Sequence, residues 1–169
     1  MPKAARIAVI VNPANPTSAE TTLREVQAAA RTLGLQTTVL HASTSREINA
    51  AFAALAGERC DALFVGGDGF LISRGVQFAN LAARDRIPAS YAQRDNVAVG
   101  GLMSYGADVA ESARPVGVYA GRILKGEKPG DLPVVQSTKI EFVINLQTAE
   151  LLGIDVPPTL LAIANEVVE

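Results

Sequence analysis

The chain has no tryptophan, one cysteine and one histidine, and aromatic side chains make up only 5% of its 169 residues. Hydrophobic residues nevertheless reach 49%, so the interior has to be built from Ala, Val, Leu and Ile, a profile that suits packed α/β layers. The lone Cys60 has no partner for an intrachain disulfide, and its place beside the apolar run Ala62-Leu63-Phe64-Val65 marks it as a buried, inert thiol. His41 has no second His or Cys near it in sequence, so it reads as a surface residue and no metal or cofactor is expected. Excess charge is missing too. A formal net charge of −2 with both signs interspersed gives no basic stripe, which excludes the electrostatic footprint of nucleic-acid or anionic-membrane binding. The opening Met1-Pro2-Lys3-Ala4-Ala5-Arg6 lacks the long apolar region of a secretory signal, so the chain as written is expected to stay in the cytoplasm.

What is present alternates strand and helix signals. Arg6 to Val11, Leu35 to Leu40, Asp61 to Val65, Pro88 to Tyr91 and Val97 to Met103 are short apolar runs that read as five strands. Between them, Thr17 with Glu20 and Thr44 with Glu47 have capping-box spacing, and Ile48, Phe52 and Leu55 follow a helical period. A third helix is expected from Gly69 through Leu71, Phe78 and Leu81. Right-handed crossovers between such units make a Rossmann-like, three-layer α/β/α fold with a doubly wound parallel sheet, in the strand order 2-1-3-4-5. Asp108 and Glu111 open a further helix running to Lys125, with Gly126 as its stop and Pro115 disturbing it after the first turns. An extended stretch then reaches Ile144, Asn145 caps a short helix, and Pro157-Pro158 opens another helical turn.

In an open parallel sheet, ligands bind beyond the carboxyl ends of the strands. Here those ends are Asn12 to Asn15, Ala42 to Thr44, Gly66 to Phe70, Tyr91 to Gln93 and Ser104 to Gly106. They supply amides, hydroxyls, one carboxylate and three aromatic rings, an inventory for gripping a small molecule and a poor one for catalysis. Asp68 is either a helix cap or an acceptor for a ligand amine or hydroxyl. Asn12 and Asn15 are either ligand contacts or ordinary Asn-Pro turn residues. Tyr91 and Tyr105 present ring faces for stacking or for packing.

Two resemblances follow. Val65-Gly66-Gly67-Asp68-Gly69 with Val11-Asn12-Pro13 resembles the nucleotide-binding lobe of diacylglycerol and NAD kinases, although Phe70 stands where those enzymes carry Thr. A second resemblance runs from Ile7-Ala8-Val9-Ile10-Val11-Asn12-Pro13 to Val156-Pro157-Pro158. Its most specific part joins Gly101-Leu102-Met103-Ser104-Tyr105-Gly106, Gly121-Arg122-Ile123-Leu124-Lys125-Gly126-Glu127-Lys128-Pro129 and Lys139-Ile140-Glu141-Phe142-Val143-Ile144. That string resembles the C-terminal half of a family of ABC-transporter solute-binding proteins with the type I periplasmic-binding-protein fold. The resemblance implies a non-enzymatic chain that binds a small organic solute such as an amino acid, for delivery to an ABC permease. It implies ligand contacts at Asn12, Asn15, Asp68, Phe70, Tyr91, Ser104 and Tyr105, and hinge geometry at Gly100, Gly101 and Gly106. It also implies a lobe over residues 1–106 and a segment, 107–169, that partly packs with a first lobe in full-length relatives. Those relatives would be periplasmic or lipid-anchored, and a homodimer would compensate for a missing lobe.

Overall fold

The computed structural model describes residues 4–135 and 139–169. β1, Arg6–Val11, ends in four consecutive buried residues, as a strand covered on both faces requires. It pairs in parallel with β2, Gln36–His41, on one side and with β3, Ala62–Val65, on the other. β4, Ala89–Tyr91, and β5, Met103–Ala107, continue the parallel run. The order of these five is 2-1-3-4-5, as expected, and two further strands extend the same sheet. β6, Ile140–Asn145, is antiparallel to β5, and β7, Glu166–Val168, is parallel to β6.

Alternation along β1 separates the two faces. Ala8 and Ile10 pack with Ile48, Phe52 and Leu55 of α2, Ser45–Glu58, and with Leu71 and Phe78. Val9 and Val11 face the other way, onto Ala19, Leu23 and Val26 of α1, Pro16–Leu33. The Thr44–Glu47 capping box opens α2 as expected. The cap of α1 is Asn15, not Thr17: its side chain accepts from the Ser18 amide, and Pro16 takes the first helical position.

Two further expectations, about element bounds, are corrected. The single helix after Asp68 is two, α3, Gly69–Ser73, and α4, Gly75–Asp85, broken at Arg74. A side chain at Gly75 would come within 2.6 Å of the Asn96 side chain, so the second helix starts where the chain can press against that neighbour. The expected strand from Val97 to Met103 is also displaced. Arg94–Ala98 is a short helix, α5, Val97 turns fully into the core, and Gly100 has a φ of 102°. That left-handed residue redirects the chain into β5, so Ser104, Tyr105 and Gly106 lie within the strand rather than in the loop after it.

After β5 the chain leaves the sheet. Asp108 caps α6, Val109–Leu124, through the Glu111 amide, and the helix runs through Pro115 without interruption. Its terminator is as expected, with Gly126 at φ 101°. None of the residues of α6 is buried. A 3-10 turn at Pro129–Asp131 follows, and the chain returns at Lys139. Asp108 closes the base of this excursion, donating its amide to the Lys139 carbonyl at 3.1 Å and taking the Lys139 ammonium at 2.7 Å. Residues 136–138, part of the stretch expected to be extended, lie outside the described residues, as does Met1 to Lys3. The division drawn at 106/107 falls inside β5, whose Ala107 pairs with Ile140. Asn145 caps α7, Leu146–Leu151, and Pro158–Leu161 forms α8, both as expected.

Candidate functional site

The carboxyl ends of β1, β3, β4 and β5 form one continuous crest. Asn12 and Asp68 join the first two. The loop after β3 meets that after β4 where a Cβ on Gly67 would stand 3.3 Å from Ala92. The Ala92 carbonyl in turn lies hard against Gly106, where no Cβ fits. Glycines at 67 and 106 are therefore what lets the loops after β1, β3 and β4 and the end of strand β5 share one edge.

Asp68 is the polar centre of the crest and is buried, 6% exposed. Its Oδ1 accepts from Asn12 Nδ2 at 2.8 Å, from the Phe70 amide at 2.9 Å and, more loosely, from the Leu71 amide at 3.4 Å. Its Oδ2 accepts from Asn15 Nδ2 at 2.9 Å. Burial pushes the Asp68 carboxyl up, but the hydrogen bonds from Asn12, Asn15, Leu71 and Phe70 outweigh it and hold the group below the usual carboxylate range. Asp68 is thus a helix cap and a charged hub at once. Oδ1 is saturated, whereas Oδ2 keeps an acceptor position. Asn12 Oδ1 receives the Ala14 amide at 3.0 Å, which fixes the loop that carries Asn15.

The aromatic candidates divide. Phe70 is half-buried, with the Arg74 guanidinium 5.3 Å from its ring centroid. Tyr105 is 62% exposed and packs edge-on to Phe142. Tyr91 and Ser104, register partners on adjacent strands, are each 1% exposed and buried within the sheet layer. The Tyr91 hydroxyl is buried without a hydrogen-bond partner, and burial pushes its pKa well above the usual phenol value. Gly101 is fixed against it, since a Cβ there would approach the Tyr91 ring to 2.7 Å. Gly100, Gly101 and Gly106 all have local reasons to be glycine.

Of a second part of the same edge, sequence reasoning reached only Gln93. Gln93, Arg94, Asp108 and Glu141 line a cleft of about 560 Å³ between the loops after β4 and β5. Asp108 had been recognised only as a cap, and Glu141 only as part of an extended stretch. A separate apolar cleft of about 260 Å³ lies at the opposite, amino edge of the parallel strands, lined by Pro88, Leu102, Met103 and Ile154 among others. His41 is exposed at the end of β2, and Cys60 is half-buried against the core with burial pushing its thiol up. Among the described residues no group of three His, Cys, Asp or Glu side chains converges as a metal site.

A mixed sheet with helices on both faces and a polar crest at its carboxyl edge defines a Rossmann-like lobe of the periplasmic-binding-protein type. The sequence model of the family described as ABC transporter substrate binding protein matches residues 1–168, and the chain belongs to that family. A tyrosine-binding protein of Clostridioides difficile is 31% identical over 110 residues, covering 65% of this chain and 32% of that protein. A solved conserved domain protein from Vibrio cholerae superposes with a TM-score of 0.89 at 27% identity, covering 99% of this chain and 56% of the other. A Streptococcus pneumoniae ABC domain solved in complex with L-Trp gives a TM-score of 0.88 at 26% identity, covering 99% of this chain and 58% of the other. The chain thus spans a little over half the length of these solved relatives and about a third of the curated one. The kinase-like alternative finds no support: the family match takes in the Gly66-Gly67-Asp68-Gly69 loop, and the Asp68 carboxylate is engaged by two asparagines and two amides.

Proposed function

We propose that this chain forms one wall of an amino-acid-binding cleft in a substrate-binding protein that serves an ABC permease, and that it binds without catalysing a reaction. The observation that carries the reading is the Asn12–Asp68–Asn15 cluster at the carboxyl edge. A carboxylate held ionised, with one acceptor position left on Oδ2, is suited to a ligand ammonium. Asn12 and Asn15 keep it oriented, and Phe70 and Tyr105 supply ring surface beside it. Tyr91 and Ser104 act from beneath, as the floor on which the loops after β4 and β5 rest. The names of two relatives, one tyrosine-binding and one solved with L-Trp, support an amino acid as the solute class.

Capture by such proteins needs closure of two walls, with ligand contacts favouring the closed state. Gly100, Gly101 and Gly106 supply the backbone geometry on this side of the hinge. One wall alone buries much less of a ligand, so the chain by itself binds weakly, and a homodimer is the way it rebuilds cover. In this reading the working protein lies outside the cytoplasmic membrane, periplasmic or lipid-anchored. None of the helices among the described residues is long and apolar enough to cross a membrane.

The test is an amide and side-chain NH₂ chemical-shift titration with L-tyrosine, L-tryptophan and a non-amino-acid control such as ribose. Shifts centred on Asn12, Asn15 and Gly66 to Phe70, with an amino acid only, are the expected result. Perturbations confined to another face, or none up to the solubility of the amino acids, would overturn the proposal. A thermal shift with ATP or NAD and magnesium would revive the nucleotide reading.

A further inference from the structure

A free amino acid carries two opposite charges on one carbon, and the Asn12–Asp68–Asn15 cluster meets only one of them. The carboxyl edge must then also offer a cation whose charge is not spent inside the chain. Arg94 is held by Glu166 at 2.7 Å and Lys139 by Asp108 at 2.7 Å. Arg46 makes no ion pair among the described residues, but it opens α2 after β2, two strands away from β3, whose end leads to Asp68. Arg74 remains. It is exposed, stands at the break between α3 and α4, and makes no ion pair among the described residues.

The Arg74 guanidinium turns back over Phe70, four residues earlier, with Cζ 5.3 Å from the ring centroid. A guanidinium resting on a ring is held by the ring's electrons and keeps its N–H donors free at its edge. The Phe70 amide meanwhile donates to Asp68 Oδ1 at 2.9 Å. Phe70 thus touches both charges, which do not pair with each other. Gly69, between Asp68 and Phe70 in the chain, leaves open ground there: a Cβ on it would meet nothing within 4 Å. Opposite charges kept apart on one short turn, with room between them, match a zwitterion. We propose that Arg74 receives the α-carboxylate of the amino acid whose ammonium Asp68 accepts, with Phe70 as the spacer between the two groups. The inference rests on the amino-acid reading of the cleft and narrows it to a free α-amino acid, as against an amine or a carboxylic acid alone.

The test is a side-chain and amide chemical-shift titration of the full chain with L-tryptophan, tryptamine and indole-3-propionate, which share a ring and differ only in the charged groups. Wild type is expected to bind L-tryptophan roughly tenfold more tightly than either single-charge analogue. Arg74→Gln is expected to bring L-tryptophan down to the level of tryptamine while changing tryptamine by less than about twofold, and Arg74→Lys to keep part of the difference. Equal affinity of wild type for L-tryptophan and tryptamine, or unchanged L-tryptophan binding in Arg74→Gln, would overturn the role of Arg74 and leave the cleft reading standing as long as the shifts centre on Asn12, Asn15 and Asp68. An equal loss of tryptamine binding in Arg74→Gln would make the residue a structural one and overturn the proposal too. If none of the three compounds moves those resonances in wild type, the cleft reading falls and this inference falls with it.

Discussion

The Asn12 side-chain amide donates to Asp68 Oδ1 at 2.8 Å, joining loops 56 residues apart in sequence. Through it the end of β1 and the start of α3 become one unit, and Asn15 adds the start of α1 to the same carboxylate. The site is therefore also a structural joint, and its titration is coupled to folding.

Asp68 has a folded-state pKa below its ordinary value of about 3.9. Its stabilising contribution is therefore complete above the unfolded pKa and is lost as pH falls through the folded pKa. Asp68→Asn, which cannot ionise and turns an amide toward two amide donors, is expected to lose about 2 kcal/mol at neutral pH. Urea unfolding from pH 7 to pH 3 reads the difference between wild type and variant, which narrows below about pH 4. A constant difference across that range would mean that the cap is lost for a reason other than charge.

Two glycine substitutions separate backbone need from backbone cost. A Cβ at Gly106 runs into the Ala92 carbonyl, whereas one at Gly57, inside α2, meets nothing within 4 Å. Gly106→Ala is expected to destabilise by about 2–3 kcal/mol or to give insoluble protein. Gly57→Ala is expected to stabilise by about 0.5–1 kcal/mol through helix propensity and reduced freedom of the unfolded chain. Chemical denaturation of the pair checks both, and similar effects at the two positions would contradict the crest geometry.

Most of the fold was legible because the parallel strands are short β-branched runs and the helices carry their own caps. Thr44 with Glu47, Asp108, Gly126 and Asn145 announced element ends that the structure bears out. The failures have local causes. Val97 to Met103 looked like a strand because Val, Leu and Met suit strands, but the Val97 side chain is wanted in the core on a helical turn, and Gly100 takes the left-handed conformation that follows. Periodicity cannot separate a buried helical turn from a short strand. The break at Arg74 depends on the contact of Gly75 with Asn96, twenty-one positions on, which local patterning cannot reveal. The polar cluster was half visible: Asn12, Asn15 and Asp68 were each open to a turn or cap reading, and only the tertiary hydrogen bonds show that they serve both uses.

The Tyr91 hydroxyl gives a test of polar burial. It is buried with no partner, so removing it removes a desolvation cost and leaves the ring packed against Gly101. Tyr91→Phe is expected to stabilise by about 1 kcal/mol in thermal or urea unfolding. A loss of stability would show that the hydroxyl is hydrogen-bonded in solution, for instance to an internal water.

Arg94 ties the far edge of the sheet. Its guanidinium reaches both oxygens of Glu166 at 2.7 Å, and Glu166 opens the three-residue strand β7, which pairs with β6 alone. Both side chains are more than a third exposed, so the pair is screened and is worth no more than about 1 kcal/mol. The Asn165 amide and side chain already hold the backbone of Phe142 at 2.8 Å each, so losing Arg94 frees the edge without dismantling the sheet. Arg94→Gln is therefore expected to speed hydrogen exchange at β7 several-fold while the urea midpoint stays nearly unchanged. High salt should have the same effect on the wild type and little on the variant. A large drop in global stability would instead place β7 inside the cooperative core, and the last strand would then help hold β6 and, through it, β5 and the crest in place.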